Sequence, residues 1–243
     1  MNKIYVTGLG PGSEEQMTVR ARKVLERCPV IIGYTVYIDL IRDLFPGKVF
    51  LTTPMRREAD RCLMAFEEAG KGQDVALVCS GDAGIYGMAG LICEIGKDYP
   101  ETEIEIVPGI TAASAGAALL GAPLMHDFAV VSLSDLLTPW EKIEKRLRAA
   151  AEADFVICLY NPSSRKRADY LSRACRIVLE YRDGANVCGI ARNIGRKGES
   201  VRILSLEQLK DAQADMFSTV FIGNSQTVEL NGRMVTPRGY KDV

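Results

Sequence analysis

Short apolar runs alternate with amphipathic helical patterns along this chain, and that alternation limits the possible folds more than any other feature. In the first half, patterns typical of buried strands cover residues 3–10, 30–34, 74–82 and 103–109, and patterns typical of helices cover 13–28, 58–72 and 110–122. Ser13 is predicted to cap the first helix, because acidic residues follow it and basic residues come later. A β-α alternation of this kind predicts a mostly parallel α/β sheet.

The pattern resets around residues 121–127, where a second series of elements begins. Strand patterns then cover 128–133, 154–160, 186–192, 200–205 and 218–223, and helical patterns cover 139–152 and 165–182. We therefore predict two α/β domains, residues 1–123 and 124–243. They are expected to pack closely, because the sequence between them is not of low complexity.

Composition narrows the range of functions. Thirty basic and 31 acidic side chains leave a net charge of −1 with only 7% aromatic residues, so neither nucleic acid nor a membrane surface is an expected partner. No apolar run approaches the ~20 residues of a membrane span, and the first ten residues have the pattern of a strand rather than a signal peptide. Seven cysteines without a C-x-x-C pair indicate free thiols in a reducing cytoplasm. Cys and His are not clustered, so no protein-bound metal is predicted.

Three loops of small residues, 8–13, 80–87 and 107–114, each follow a predicted strand and precede a helix. In the first loop, Ser13 replaces the third glycine of the dinucleotide fingerprint and Pro11 lacks an N–H, so a tight turn is an equal interpretation. In the second, Asp82 either accepts hydrogen bonds from a ribose or an amine, which we favour, or closes an Asx-type turn. The third loop has room for an adenine or a methionine chain, and close packing of its helix explains it equally well.

In order, the motifs GxGPG, GDxxxYG and PGITAASA resemble those of the tetrapyrrole methylases, the class III S-adenosylmethionine-dependent methyltransferases. The resemblance covers the whole chain and implies a homodimer of two-domain α/β subunits, with S-adenosylmethionine in the cleft between the domains. It implies cofactor contacts from Pro11, Ser80, Gly81, Asp82, Ile85, Thr111, Ala112, Leu159, Tyr160, Ala191 and Arg192. Ala83 stands where the family usually has proline, a difference that bears on the shape of the second loop.

Four segments of the second half resemble one branch of that family: SLSDLLTPW, LYNPSSRKR, IARNIGRKGE, and TVFIGNSQT with NGRMVTPRGY. This branch methylates ring carbon C17 of precorrin-3B, or of cobalt-factor III, and contracts the macrocycle in cobalamin biosynthesis. Any cobalt would then be carried by the substrate. A methylase acting at another ring carbon and a non-catalytic binding module for S-adenosylmethionine or a nucleotide remain alternatives. A nicotinamide-dependent oxidoreductase is disfavoured by Ser13 and by the missing ribose-binding acid.

A macrocycle with many carboxylate arms needs cationic partners, and residues 161–202 carry ten basic and four acidic side chains, a local balance of +6. The basic residues in predicted loops are expected to bind substrate: Arg165, Lys166, Arg167, Arg192, Arg196 and Lys197. Arg173, Arg176 and Arg182 are expected on a solvated helix face. Asn161, Asn193 and Asn224 either bind propionates or cap loops.

Ring contraction requires proton movement, and the candidates for general acid or base are Asp135, His126 and Ser134. Ser132, Ser134 and Asp135 follow a predicted strand, as ligand-binding residues often do. Helix capping is an equal interpretation for Asp135, and a structural role near the domain boundary is an equal one for His126. Trp140 is expected to pack the first turn of its helix.

Overall fold

The computed structural model describes residues 2–164 and 167–240, and the chain forms two compact units, Met1–Ala112 and Ala113–Val243. This division falls before residues 113–123, which the sequence analysis assigns to the first domain. The domain boundary near residue 124 therefore stays a prediction. No helix within the described ranges is both long and apolar enough to cross a membrane.

The first unit is a five-stranded parallel sheet with helices on both faces. Its strands are β1 Lys3–Gly8, β2 Val30–Tyr34, β3 Val49–Thr53, β4 Val75–Cys79 and β5 Glu103–Val107. Its helices are α1 Val19–Arg27, α2 Thr35–Ile41, α3 Glu58–Gly70 and α4 Ala89–Ile95, with short 3₁₀ turns at Glu14–Gln16, Arg42–Leu44 and Gly96–Asp98. The strands lie in the order β3-β2-β4-β1-β5, and every neighbouring pair is parallel, as predicted.

Alternate residues of the strands fill two separate cores, one on each face of this sheet. Val6 packs on one side with Phe66 of α3 and Ile92 of α4. Its neighbour Tyr5 packs on the other side with Leu25 of α1. Because the sheet is covered on both faces, its strands are continuous apolar runs, which is the pattern the sequence shows.

The prediction that Ser13 caps the first helix is wrong. Helix α1 begins at Val19, and its N-cap is Thr18, whose hydroxyl accepts a hydrogen bond from the Ala21 N–H at 3.1 Å. Glu14–Gln16 form only a single 3₁₀ turn. Ser13 and Thr18 are both residue types that commonly cap helices. The helix begins after Thr18 because the buried residues of α1 follow it directly.

The second unit begins with helix α5 Ala112–Leu120, of which Ala113 onward belongs to it, and contains two sheets. Its remaining helices are α6 Trp140–Glu152, α7 Tyr170–Leu179 and α8 Leu206–Lys210. Its strands are β6 Gly121–Ala122, β7 Phe128–Ser132, β8 Val156–Tyr160, β9 Val187–Arg192, β10 Ser200–Ser205, β11 Ser218–Ile222, β12 Val228–Leu230 and β13 Arg233–Val235. The large sheet has the order β10-β9-β11-β8-β7, and the small one β12-β13-β6.

The large sheet of the second unit, unlike the sheet of the first, is mostly antiparallel. Only β7 and β8 form a parallel pair, whereas β8–β11, β11–β9 and β9–β10 are antiparallel. The connection 193–199 between β9 and β10 is too short for the crossover of about a dozen residues that a parallel pair requires.

This topology brings three strand ends to one edge of the large sheet. Because β11 runs opposite to both β8 and β9, the last residues of β7, β8 and β9 (Ser132, Tyr160 and Arg192) end at the same side. The first residue of β11, Ser218, pairs with Arg192 there. Residues predicted to bind ligand at three separate strand ends therefore share an edge.

Arg182, expected on a solvated face, is instead buried at the opposite end of this sheet, with 4% of its side chain exposed. Its guanidinium donates hydrogen bonds to the carbonyl oxygens of Gly223, Phe155 and Ala150. These bonds join three chain segments that a shorter side chain could not reach together, so the role of Arg182 is structural.

Arg182→Lys is expected to lower the free energy of unfolding by about 1–3 kcal/mol, because one ammonium group leaves buried carbonyl oxygens without a donor. Urea unfolding followed by circular dichroism measures this change. Arg176→Lys, at an exposed position of α7, is the matched control and is expected to change stability by less than about 0.5 kcal/mol. Equal effects of the two substitutions would contradict the structural role.

Candidate active site

The three glycine loops of the first unit meet at the carboxyl edge of its parallel sheet. Gly10 and Gly81 exchange two backbone hydrogen bonds, of 3.0 and 2.7 Å, so the first loop is bound directly to the second. The Leu9 N–H also donates to the carbonyl oxygen of Cys79 at 2.8 Å. Both glycines have positive φ, +81° and +69°, a conformation that L side chains rarely adopt.

The third loop approaches the other two so closely that two of its contacts admit only glycine. A Cβ atom on Gly109 would lie 2.1 Å from the carbonyl oxygen of Gly81 and 2.7 Å from the backbone of Gly8. A Cβ atom on Gly8 would lie 2.6 Å from the same oxygen. The glycines of these motifs therefore let three backbones pack against one another.

Asp82 holds the second and third loops together. One of its carboxylate oxygens accepts hydrogen bonds from the N–H groups of Gly84 (2.8 Å) and Ile85 (3.1 Å), and the other accepts one from Gly109 N–H at 3.0 Å. This is the turn interpretation that the sequence analysis left as the alternative, extended by a bond to a different loop. A contact between Asp82 and a cofactor stays a prediction.

The other residues predicted to bind the cofactor surround this junction. Pro11 is buried, and Ser80, Thr111 and Ala112 are half-buried. Ile85 and its neighbour Tyr86 are exposed, and Tyr86 has a φ of +54°. A Cβ atom added to Gly81 would lie 3.9 Å from atoms of residues 110–112, an ordinary van der Waals distance, so the second and third loops pack side by side at this point.

The cofactor residues predicted in the second unit lie at or just before the shared strand ends. The side chains of Leu159 and Ala191 are fully buried, and that of Leu159 packs in the core. The hydroxyl of Tyr160 accepts a hydrogen bond from the Ala113 N–H at 2.6 Å, which joins the end of β8 to the first turn of α5. Arg192 forms an ion pair with Asp215 at 2.8 Å.

The loop after β7 is held by a network centred on Asp135. One carboxylate oxygen of Asp135 accepts a hydrogen bond from the hydroxyl of Tyr170 at 2.6 Å, and the other lies 3.4 Å from the guanidinium of Arg167. The same guanidinium donates to the Ser134 hydroxyl at 2.6 Å. Helix α6 has Pro139 as its N-cap, so the carboxylate of Asp135 is committed to this network rather than to capping.

The network shifts the pKa values of both of its acidic groups. The hydrogen bond from Tyr170 is the main cause that lowers the pKa of Asp135, and Arg167 adds to it. The same bond raises the pKa of Tyr170, because a phenolate would face a carboxylate. Asp135 is thus a carboxylate, and Tyr170 a neutral phenol, at neutral pH.

Tyr170→Phe is expected to raise the pKa of Asp135 toward its usual value, since the principal stabilising hydrogen bond is removed. The stabilisation of the fold from this bond is present above the unfolded-state pKa, about 3.9, and is lost as pH falls through the lower folded-state value. A ¹³C NMR titration of the Asp135 carboxyl group measures the shift. An unchanged pKa in the variant would show that the bond is not formed.

Tyr170, the first residue of α7, was not among the predicted site residues, and Arg173 does not lie on the solvated helix face expected for it. The ring of Tyr170 lies 4.6 Å from that of Trp140, and the guanidinium of Arg173 lies 4.0 Å from the Trp140 ring. Trp140, the first residue of α6, therefore packs against α7. Arg173 stacks on the Trp140 ring rather than lying on a solvated face. The helical spacing of positions 170 and 173 was the available signal.

The remaining predicted residues are dispersed. Nε2 of His126 lies 2.9 Å from the carbonyl oxygen of Pro237, in an exposed position. The guanidinium of Arg196 lies 5.4 Å from the ring of Phe217, and Lys197 is exposed. Arg165 and Lys166 lie outside the described residues, and their role in binding substrate stays a prediction. Within residues 2–164 and 167–240, no group of three or more His, Cys, Asp and Glu side chains could hold a metal ion.

The three asparagines each make structural hydrogen bonds. Asn161 donates to the Ser132 hydroxyl at 2.9 Å, and Asn193 donates to the carbonyl oxygen of Gly198 at 3.4 Å. The buried Asn224 accepts from the Gln226 N–H at 3.0 Å. Asn161 and Asn193 also have φ values of +52°, which asparagine tolerates better than most residues.

Fold and loops together define a class of protein: the chain belongs to the tetrapyrrole (corrin/porphyrin) methylases, whose family model matches residues 3–210. The two-domain α/β fold class predicted from the sequence is thereby confirmed. The probable cobalt-factor III C(17)-methyltransferase of Salmonella typhimurium is 47% identical over 238 residues, which cover 98% of this chain and 99% of that one. The precorrin-3B C(17)-methyltransferase of Sinorhizobium sp. is 39% identical, with 98% and 96% covered. The crystal structure of the methyltransferase CobJ superposes with a TM-score of 0.89 at 37% identity, over 98% of this chain and all of that one.

Proposed function

We propose that this protein transfers a methyl group from S-adenosylmethionine to C17 of precorrin-3B or cobalt-factor III and contracts the macrocycle, yielding precorrin-4 or its cobalt form. The observation that carries the proposal is similarity over nearly the full length to relatives whose names specify C17, at 47% and 39% identity. The order of motifs in both halves of the sequence supports the same activity.

The glycine-loop edge of the first unit is the proposed binding surface for S-adenosylmethionine, which supplies an electrophilic methyl group on sulfur. Its residues fit such a ligand: Ser80 and Thr111 are half-buried at this edge, and Ile85 and Tyr86 offer exposed apolar surface. Asp82 keeps the loops in place through their backbone amides. Since methyl transfer is an in-line displacement, the contribution of these residues is positioning.

The edge formed by the ends of β7, β8 and β9 is the proposed binding surface for the tetrapyrrole. Arg167 carries the charge that a carboxylate arm requires, and it is partly covered, which strengthens such a contact. The oxygen of Ser134 accepts from Arg167, so its own proton is available for an oxygen of the substrate. Ser134 and His126 are the proposed residues for proton movement, and Asp135 is assigned a different role below.

An anaerobic incubation with S-adenosylmethionine and either precorrin-3B or cobalt-factor III tests the proposal. Release of S-adenosylhomocysteine, a product heavier by one methyl group and the absorption spectrum of a contracted ring are expected with at least one macrocycle. The macrocycle that reacts identifies the substrate form. Cofactor binding without methylation of either macrocycle would favour another ring position or a binding module.

A cytoplasmic homodimer that needs no protein-bound metal is also proposed. All seven cysteines are free and six are buried, which suits a reducing compartment. Sedimentation equilibrium is expected to give twice the mass of one chain, and the rate of methyl transfer is expected to be unchanged after treatment with a chelator. A monomer at micromolar concentration, or activity restored only by added metal, would contradict these points.

A further inference from the structure

Two adjacent leucines stand out on the second unit because they are exposed on a loop that is otherwise firmly held. Leu137 is 92% exposed and Leu136 is 62% exposed. They lie in the bend at the middle of the loop of residues 133–139, which connects strand β7 to helix α6. Single exposed leucines are ordinary on protein surfaces, but a pair at the tip of an ordered loop needs a reason.

The loop is anchored on both sides of this pair. Before the bend, the buried Leu133 donates its N–H to the carbonyl oxygen of Tyr160 at 2.9 Å. Asp135, directly before Leu136, is tied to Tyr170 and Arg167. After the bend, helix α6 begins at Trp140, which packs against α7. The leucines are therefore presented by fixed backbone rather than exposed by a loose loop.

Position and charge identify the ligand that suits this surface. The loop rises from the edge where β7, β8 and β9 end, and ligands of α/β sheets bind at such carboxyl ends. The two apolar side chains lie in sequence beside Asp135, whose ion-pair partner Arg167 brings a guanidinium group to the base of the loop. A ligand with an apolar face and carboxylate arms satisfies both features, and the proposed macrocycle is of that class.

We propose that Leu136 and Leu137 contact the apolar face of the macrocycle, and that Asp135 and Tyr170 are positioning residues which hold the two leucines in place. This inference rests on the proposed function and adds to it a surface that recognises the macrocycle. Both carboxylate oxygens of Asp135 are engaged within the loop network, which fits a positioning role better than proton transfer.

The first test compares Leu136→Ser/Leu137→Ser with the wild type in the anaerobic methyl-transfer assay, using whichever macrocycle the wild type accepts. KM for the macrocycle is expected to rise about tenfold, the equivalent of ~1.4 kcal/mol, because the variant buries less apolar surface when the macrocycle binds. kcat and KM for S-adenosylmethionine are expected to stay within about twofold. Leu137→Met is expected to keep the wild-type KM, and Leu230→Ser, at an exposed leucine of strand β12, is the matched control.

The second test separates positioning from catalysis at Asp135 and Tyr170. Tyr170→Phe keeps the ring against Trp140 but loses the hydrogen bond to Asp135, and Asp135→Asn weakens the same bond. Both are expected to raise KM for the macrocycle about threefold with little change in kcat. A fall in kcat of about 10²-fold or more at unchanged KM is the mark of a general acid or base and would overturn the assignment.

The outcomes distinguish this inference from the function on which it rests. If the wild type methylates neither macrocycle, both are overturned. If it methylates one and the double serine variant has the same KM, only the inference fails. A change in sedimentation mass of that variant would show that the leucines face a second copy of this chain, and would also overturn it.

Discussion

Gly109→Ala is expected to remove methyl transfer and to lower the free energy of unfolding by about 3 kcal/mol, the upper part of the usual range for overpacking. The added Cβ would lie 2.1 Å from the carbonyl oxygen of Gly81 and 2.7 Å from the backbone of Gly8. Neither neighbour can yield easily, because Gly8 ends β1, which pairs with a strand on each side, and Gly81 is bound to Gly10 by two hydrogen bonds. Urea unfolding and the anaerobic assay measure the two effects.

Gly90→Ala is the control for this substitution. Gly90 lies within helix α4, where an added Cβ meets open space among the described residues. Alanine there is expected to stabilise the protein by about 0.5–1 kcal/mol, since it restricts the unfolded chain and suits a helix. If Gly109→Ala were as stable as the wild type, the three loops could not be packed as the structure has them.

Asp82→Ala is expected to weaken the binding of S-adenosylmethionine about 100-fold, equivalent to ~2.7 kcal/mol, by leaving three backbone amides without their charged acceptor. The amides belong to Gly84, Ile85 and Gly109, so both loops lose their fixed arrangement at once. Isothermal titration with the cofactor measures the affinity, and a thermal unfolding curve shows whether the fold survives.

Asp82→Asn provides a graded comparison at the same position. Its single side-chain oxygen can still accept from Gly84 and Ile85, whereas its NH₂ group would face the N–H of Gly109, donor against donor. The expected loss is therefore intermediate, about tenfold, and confined to the link between the second and third loops. Wild-type affinity in both variants would refute the role given to Asp82.

The sequence predicts much of the first unit because a sheet covered on both faces leaves a strong pattern. Its central strands are continuous apolar runs, and their ends are marked by glycine. Strand β3 was missed because it is an edge strand in which only Thr53 is buried, so its apolar pattern is weak. The antiparallel pairing of β9 with β10 is decided by the short connection after Arg192, a feature of spacing rather than of composition.

For the site, sequence patterns locate loops but not the partners of their side chains. The parallel arrangement predicts that the three glycine loops lie at one edge of the sheet, but their direct contact depends on the adjacent positions of β4, β1 and β5, which the sequence pattern does not give. The hydrogen bond between Asp135 and Tyr170 joins residues 35 positions apart, on a loop and a helix, and no local pattern encodes it. For Asp82, only the positions of three amides show that its carboxylate joins two loops.

The place of β1 in its sheet also governs how the chain can fold as it is synthesised. Strand β1 is synthesised before the other strands described here, but its two neighbours are β4 and β5, which pair it with residues 75–79 and 103–107. At ~5–20 residues per second, translation needs roughly 5–20 seconds to reach Val107. Until then the nascent chain carries an apolar strand that lacks at least one of its two partners, and such exposed segments promote aggregation of newly made protein.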